Sequence, residues 1–463
     1  MAAIITDNLR KNVADLLLTE ILDATDSSEY YIGIGKSDQY NDSDTIATPL
    51  RTLREERNAR ANLQSIKKVT TGGASFVIPR YNWSSNTIYS AYNDNTVGLP
   101  SNAYYVLTEA NEVYICLRQS KKTSNGDPNS STVEPSYVLH NGGVATTAFE
   151  TADGYVWKYM YSVSALRAST FLSASYIPIQ FLSDSAQAYT GLDRDQATVK
   201  EAAVRGQIVS VEVTSGGTGY SSAPTVTFRG NGTGAAATAY ISTSGVVTKI
   251  EMNNTTTALG SGYDFANIVL SGGSPTTAAT ARPIIGPIKG FGYDPRDDLK
   301  SNSIMITSKP SGDEGGTFLV DDQDFRQILL FKNMHYKAGA ATDSDAIFNE
   351  ASGKALRAFL VDSSSQLEPD NIVSGDSASA YIDHLDGVVV YYHQNEGTGF
   401  GTFSNDLVTD DGGGVATIYE HIDSSGWGAK ADAFTGDLLY VENRAAVQRS
   451  TDQTEDIKIV LTF

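Results

Sequence analysis

In the stretch "YYIGIGKSDQY", beginning at Tyr30, a β-rich run leads into Gly35, Lys36 and Ser37, the closing residues of a phosphate-binding loop. That loop also requires a leading glycine, because successive backbone N–H groups must wrap the phosphates before the lysine can reach them. Tyr30 occupies the leading position, so the sequence predicts a strand from Tyr30 to Ile34 that leaves through a glycine-assisted turn. The other reactive residue types are equally scattered. His140, His335, His384, His393 and His421 form no His-Glu-x-x-His pair, and no metal site is expected from them. Asp42 to Asp44, Asp321 with Asp322, and Asp410 with Asp411 lack the alternating ligands and closing glutamate of a calcium loop, and read as solvated turns. "GTGFG" from Gly397 is half of a dinucleotide fingerprint without the helix that must follow it. No Gly-x-Ser-x-Gly elbow is present, and Cys116 lies in the apolar run "EVYICL", where a thiol packs as a small hydrophobe. No catalytic, cofactor-binding or metal-binding residue is therefore expected. Paired carboxylates for glycoside cleavage stay open, since their separation belongs to the fold.

The elements that would carry such residues are mostly strands. The 463-residue chain holds 41 Gly and 25 Tyr among abundant Thr, Ser and Val, a composition of many short strands joined by turns. Its formal charge of −20 repels nucleic-acid phosphates and the anionic face of a membrane, and no apolar run is long enough to span a bilayer. The single cysteine and an N-terminus without a basic, then apolar, leader argue against secretion.

Along the chain, Leu9, Val13, Leu16, Leu17 and Ile21 recur at helical spacing behind a capping Asp7, and that stripe should be buried either in the subunit's own core or against a neighbour. "LREERNARANLQSIKKV" predicts a second helix ending at Gly72 and Gly73. "NAYYVLTEANEVYICLR" reads as a hairpin turning at Asn111, and residues 121–150 as a long polar loop. In "DGYVWKYMYSV", Tyr155, Trp157, Tyr159 and Tyr161 share one strand face. Between 203 and 285 charge nearly vanishes and a duplication appears, with Gly219-Tyr220 echoed by Gly262-Tyr263 and "AATA" recurring at Ala236 and Ala278. The closing run ends in a strand whose Ile457, Ile459, Leu461 and Phe463 point one way while Lys458, Val460 and Thr462 point the other. The expected architecture is mainly β: a β-sandwich-like body with flanking α-helices, its N-terminal part at 1–202 and its C-terminal part at 286–463, and a small inserted β module at 203–285. Trp83, Trp157, Ile457, Ile459, Leu461 and Phe463 are the expected structural core.

Five segments also occur in the order found in one family. These are "YYIGIGKS", "VIPRYNW" at Val77 to Trp83, "DGYVWKYMY" at Asp153 to Tyr161, "DFRQILLF" at Asp324 to Phe331, and "GDLLYVENRAAVQRSTDQTEDIKIVLTF" from Gly436 to the end. On them the chain resembles the baseplate wedge subunit, the product of gene eight, of T-even-like contractile-tail bacteriophages, in a cyanophage-type member. The resemblance implies a homodimer in each of six wedges, contacting the products of genes six, seven, ten and fifty-three. It also implies a role in bracing the wedge and passing on the rearrangement that starts sheath contraction, with no catalysis and no cofactor. The place implied is the virion tail baseplate, after assembly in the bacterial host cytoplasm. The module at 203–285 lies outside that likeness. A carbohydrate-binding or depolymerising tail fibre or spike is the alternative that the Tyr and Gly content and the repeat suggest.

Overall fold

The computed structural model describes residues 3–23, 27–99, 103–121, 126–137, 146–183, 189–253, 257–310, 323–338, 346–404, 407–422, 428–450 and 453–463. Short antiparallel strands dominate and helices are a minority, as the composition predicts. The chain forms two compact units. One comprises 1–16, 75–305 and 460–463, the other 17–74 and 306–459. Among the described residues no helix is long and apolar enough to cross a membrane.

The second unit contains a five-stranded antiparallel sheet in the order Ser352–Lys354, Leu63–Lys68, Tyr30–Gly35, Gln323–Lys332, Asp437–Arg449. Tyr30–Gly35 is hydrogen-bonded on both edges and buried at every position, which explains why its sequence does not alternate. Tyr31, Leu63, Ile66, Leu329, Phe331 and Phe348 form its core. The same unit holds a closed six-stranded barrel built from Arg357–Val361, Val389–His393, Ser379–Asp386, Ile372–Ser374, Leu407–Asp410 and Val415–Ile422. Phe359, Val373, Ile382, Val390, Tyr392 and Ile418 fill its interior. Closure leaves the barrel no exposed edge, a property of long-range pairing that strand patterning cannot announce.

The second predicted helix is shorter than its charge pattern suggests. It spans Leu53–Ala61, starts at Thr52, whose side chain accepts from the Glu55 N–H, and stops at Asn62. The following Leu63–Lys68 joins the sheet, so pairing with Tyr30–Gly35 overrides local helix preference.

In the first unit, the predicted hairpin forms between Tyr105–Leu107 and Glu112–Arg118, with Asn111 at φ 58° in the turn. Val156–Ser162 pairs beside it and is buried along its whole length. Trp157 stacks on Tyr155 at 5.7 Å and meets Tyr89 edge-on, and Tyr159 packs against Tyr114 and Tyr137. Trp157 is thus a core residue as expected. Trp83 is not fully enclosed: it packs on the rim of this cluster, and its indole N–H donates to the buried Ser131 Oγ at 3.2 Å.

The duplication at 203–285 is realised as an exchanged pairing. The middle strands of the two copies, Thr225–Gly230 and Ala266–Ser271, pair antiparallel with each other. The third strand of each copy pairs with the first strand of the other, Ala237–Ile241 with Val247–Met252 and Thr280–Ile285 with Ile208–Ser215. Gly219 and Gly262 have matching φ of 78° and 76°, and Tyr220 and Tyr263 behind them are both buried. Ile208, Val247, Ile250 and Leu259 complete a core that is the module's own.

The last strand, Ile457–Thr462, is held at its end by Asn302 and Ser303. The Phe463 N–H donates to Asn302 O at 3.1 Å, Asn302 Nδ2 donates to Phe463 O at 2.7 Å, and Ser303 Oγ lies 2.8 Å from Thr462 Oγ1. Ile457 and Ile459 are buried, but Leu461 and Phe463 are only partly so. The strand lies at the edge of its sheet. Val460, expected to face away, packs with Val77, Phe171, Met305 and Tyr176, so both faces of the strand contribute to packing.

The N-terminal helix, Asp7–Leu22, also departs from its predicted face. Ala14, Leu18 and Ile21 are buried, whereas Leu9, Val13 and Leu16 are exposed, Leu16 by 72 %. Charge sets this orientation in the first unit. Lys11 and Asp15 turn inward to Asp297 and Arg296, the latter pair at 2.7 Å, and the apolar stripe is rotated outward.

Candidate functional site

Gly35-Lys36-Ser37 sits where the central strand of the second unit ends. A Cβ at Gly35 would lie 2.4 Å from Asn62 O, so only glycine allows the two backbones to approach this closely. Lys36 follows in the left-handed region at φ 62° and donates its N–H to Asn62 O at 2.9 Å. This reverses the chain, directing the Lys36 ammonium to Asp38 Oδ2 at 2.7 Å and over the Tyr40 ring, and burying Ser37. The three residues make a strand exit, as the missing leading glycine predicts.

What the sequence does not announce is the destination of Ser37. Its Oγ donates to Asp383 Oδ1 at 2.8 Å, and the same oxygen accepts from Gln64 Nε2 at 3.0 Å. The other oxygen, Oδ2, is 2.7 Å from His393 Nδ1. His393 is itself buried, stacks on Tyr381 at 5.3 Å, and places Nε2 3.8 Å from Asp38 Oδ1 without a hydrogen bond. Burial opposes charging this ring, but the Asp383 and Asp38 carboxylates outweigh it and push its pKa up to about 9. At neutral pH the cluster is therefore an imidazolium held between two carboxylates. Burial likewise opposes ionising Asp38, yet His393 and Lys36 bring its pKa below the usual range.

Ser37, Asp383 and His393 have the residue types of a hydrolytic triad in an order that cannot perform it. The carboxylate lies between serine and imidazole, so the histidine has no proton to take from the serine. The cluster locks the strand exit of residues 35–38 to barrel strands Ser379–Asp386 and Val389–His393 by charge. Beside it lies a polar cleft of about 210 Å³ lined by Lys36, Asp38, Asn62 and Asn395, among others.

The remaining sequence candidates stay dispersed. Asp44 pairs with Arg326 at 2.9 Å, whereas Asp410, read as part of a solvated turn, is buried at the end of a barrel strand, where it accepts from the Gly414 and Glu368 N–H groups. Gly397 begins a turn closed by Asn395 Oδ1. Cys116 is buried and its pKa raised by that burial. His140, Asp321 and Asp322 lie outside the described residues, as do parts of the 121–150 loop. Among the described residues no group of three His, Cys, Asp or Glu is arranged to hold a metal.

A second buried ionisable pair lies in the first unit and was not anticipated. Lys158 sits in the aromatic strand, donates from Nζ to Thr146 O at 2.7 Å, and has its pKa lowered to about 8 by burial, against the pull of Asp298. Asp298 accepts the Gly292 N–H at 2.7 Å through Oδ2, leaves Oδ1 unpartnered, and is pushed well above the usual carboxylate range by its own burial. The available signal was a lone lysine inside "YVWKYMY".

Neither the family models nor the curated proteins searched contain a match to this chain.

Proposed function

We propose that the chain is a non-catalytic structural subunit of a phage tail baseplate wedge. It acts as a homodimer in the virion, meets the products of genes six, seven, ten and fifty-three, and relays the rearrangement that triggers sheath contraction. One observation carries the reading: the five family-like segments coincide with the strands that build the two units. "YYIGIG" and "DFRQILLF" are adjacent central strands of the five-stranded sheet, and Asp437–Arg449 pairs with the second of them. "VIP" pairs with Tyr176–Pro178, "YVWKYMY" fills the aromatic core, and "IKIVLT" is the final strand. Resemblance concentrated in the strands of the sheets fits a protein selected for its scaffold.

A scaffold must also offer surfaces to other subunits. Ile5, Leu9, Val13 and Leu16 form an exposed apolar stripe on and just before the N-terminal helix, the kind of face that a contact between subunits buries. In this reading the stripe is the contact between the two copies. Light scattering on the purified chain should give twice the monomer mass, and Leu9→Glu with Leu16→Glu should give the monomer mass at an unchanged circular dichroism spectrum. A trimer, or a dimer indifferent to both substitutions, would overturn the assignment of the stripe. An assembled baseplate without this chain in it would overturn the function.

A further inference from the structure

At one end of the closed barrel, Arg357 begins the strand Arg357–Val361. It stands two residues before Phe359, which fills the barrel interior, and pairs across to Tyr392, which fills it too. Alternation along the strand therefore sends the Arg357 side chain out on the inward face, at the barrel's mouth. There a cavity of about 410 Å³ opens, lined by Arg357 and Tyr392 and within the size range of small-ligand pockets.

Among the described residues Asp432 is the one carboxylate in the lining, against Arg60, Lys337, Arg357 and the His393 imidazolium. Three of these cations are already satisfied. Arg60 donates from Nε to Glu56 at 3.2 Å and from its other two nitrogens to the Ala433, Thr435 and Gly436 carbonyls. Lys337 lies 3.6 Å from Asp432, and His393 stands between Asp383 and Asp38. Arg357 is different. It is exposed, and the one hydrogen bond its guanidinium makes, from Nη1 to Gln394 Oε1 at 3.0 Å, goes to a neutral amide. Its Nε and Nη2 are left to grip a carboxylate through two parallel bonds.

Much of the remaining wall is apolar. Leu63 and Tyr392 are buried, whereas Phe400 and Phe434 are 68 % and 60 % exposed. Phe434 is fixed there by a turn, its N–H donating to Asp432 Oδ1 at 3.0 Å and the Thr435 N–H to Asp432 O at 3.1 Å. Two large rings left in water beside a recess are covered favourably by a flat apolar body.

We propose that the barrel mouth binds a small aromatic monocarboxylate, its carboxylate on Arg357 and its ring against Phe400 and Phe434. One unmatched cation calls for one negative charge, and a phosphate dianion would bring a second charge toward Asp432. The site does not depend on the assembly reading, and its loss would leave the contact assigned to the helix stripe as it stands.

The test is saturation-transfer NMR on the full chain with phenylacetate, its neutral amide phenylacetamide, and acetate. Phenylacetate should bind with a Kd of about 1 mM or below, and the amide and acetate at least about tenfold more weakly. Arg357→Gln, at an exposed position, should reduce phenylacetate to the affinity of the amide at an unchanged circular dichroism spectrum. The comparison of the three probes on the unaltered protein decides the question even if that variant misfolds. No phenylacetate signal, an amide or acetate that binds as tightly as phenylacetate, or a preference for the acid that persists in folded Arg357→Gln would each overturn the proposal.

Discussion

Replacing His393 with Gln isolates the charge lock in the second unit. A ring that titrates at about 9, rather than at its ordinary value of 6.5, holds its proton about 3 kcal/mol more tightly in the folded chain. Because the folded pKa is raised, that stability is fully present below about pH 6.5 and disappears as the pH rises through about 9. The substitution also leaves Asp383 facing Ser37 and Gln64 alone, and removes the ring stacked on Tyr381. Urea unfolding near pH 6 should show the variant weaker by about 3 kcal/mol, with the gap narrowing toward pH 9.5 as the native protein loses its imidazolium. The ring resonances of His393 provide the direct measurement. A midpoint at or below the ordinary histidine value, or a stability gap that does not change with pH, would mean that the two carboxylates do not govern this ring.

Lys158→Met should stabilise the first unit by about 1 to 2 kcal/mol near pH 7, measured by chemical denaturation, because removing a charge from an aromatic core outweighs the lost hydrogen bond to Thr146 O. An unchanged or lowered midpoint would show that the ammonium is well solvated in place. Phe463→Ala should cost about 2 kcal/mol, less than a fully enclosed phenylalanine, since the ring is only partly covered. A loss of 4 kcal/mol or more on thermal or urea unfolding would mean that the terminal ring is enclosed in the working assembly.

How far the sequence could be read depended on whether a feature was local. The hairpin turn at Asn111, the glycine exit at Gly35 and the paired Gly-Tyr units of 203–285 follow from conformational needs of a few adjacent residues, and each is found where expected. The duplication was visible, but its exchanged pairing was not, because which strand pairs with which is decided across the module. The N-terminal helix shows the limit of periodicity. Its apolar stripe marks a helix correctly, yet Lys11 and Asp15 determine the buried side through ion pairs with residues nearly three hundred positions away. The same limit hid the His393 cluster, whose members come from positions 37, 38, 64, 383 and 393 with no spacing to signal it. Trp83 was expected inside on residue type and Phe463 on the alternation of the closing strand, and their partial exposure is a tertiary fact.

The two buried bases make opposite demands on pH, and this governs how either can be measured. Lys158, with its pKa lowered to about 8, destabilises the fold fully below that pH, and the penalty fades as the pH rises toward the ordinary lysine value of 10.5. His393 stabilises at low pH and ceases to do so as the pH climbs to about 9. Between about pH 8 and 9 one contribution rises while the other falls, each on the order of 3 kcal/mol over its full range. A profile summed over the intact chain would look nearly flat there. Only the single variants, each followed by a probe in its own unit, separate the slopes: Lys158→Met should leave a net fall in stability with rising pH, and His393→Gln a net rise.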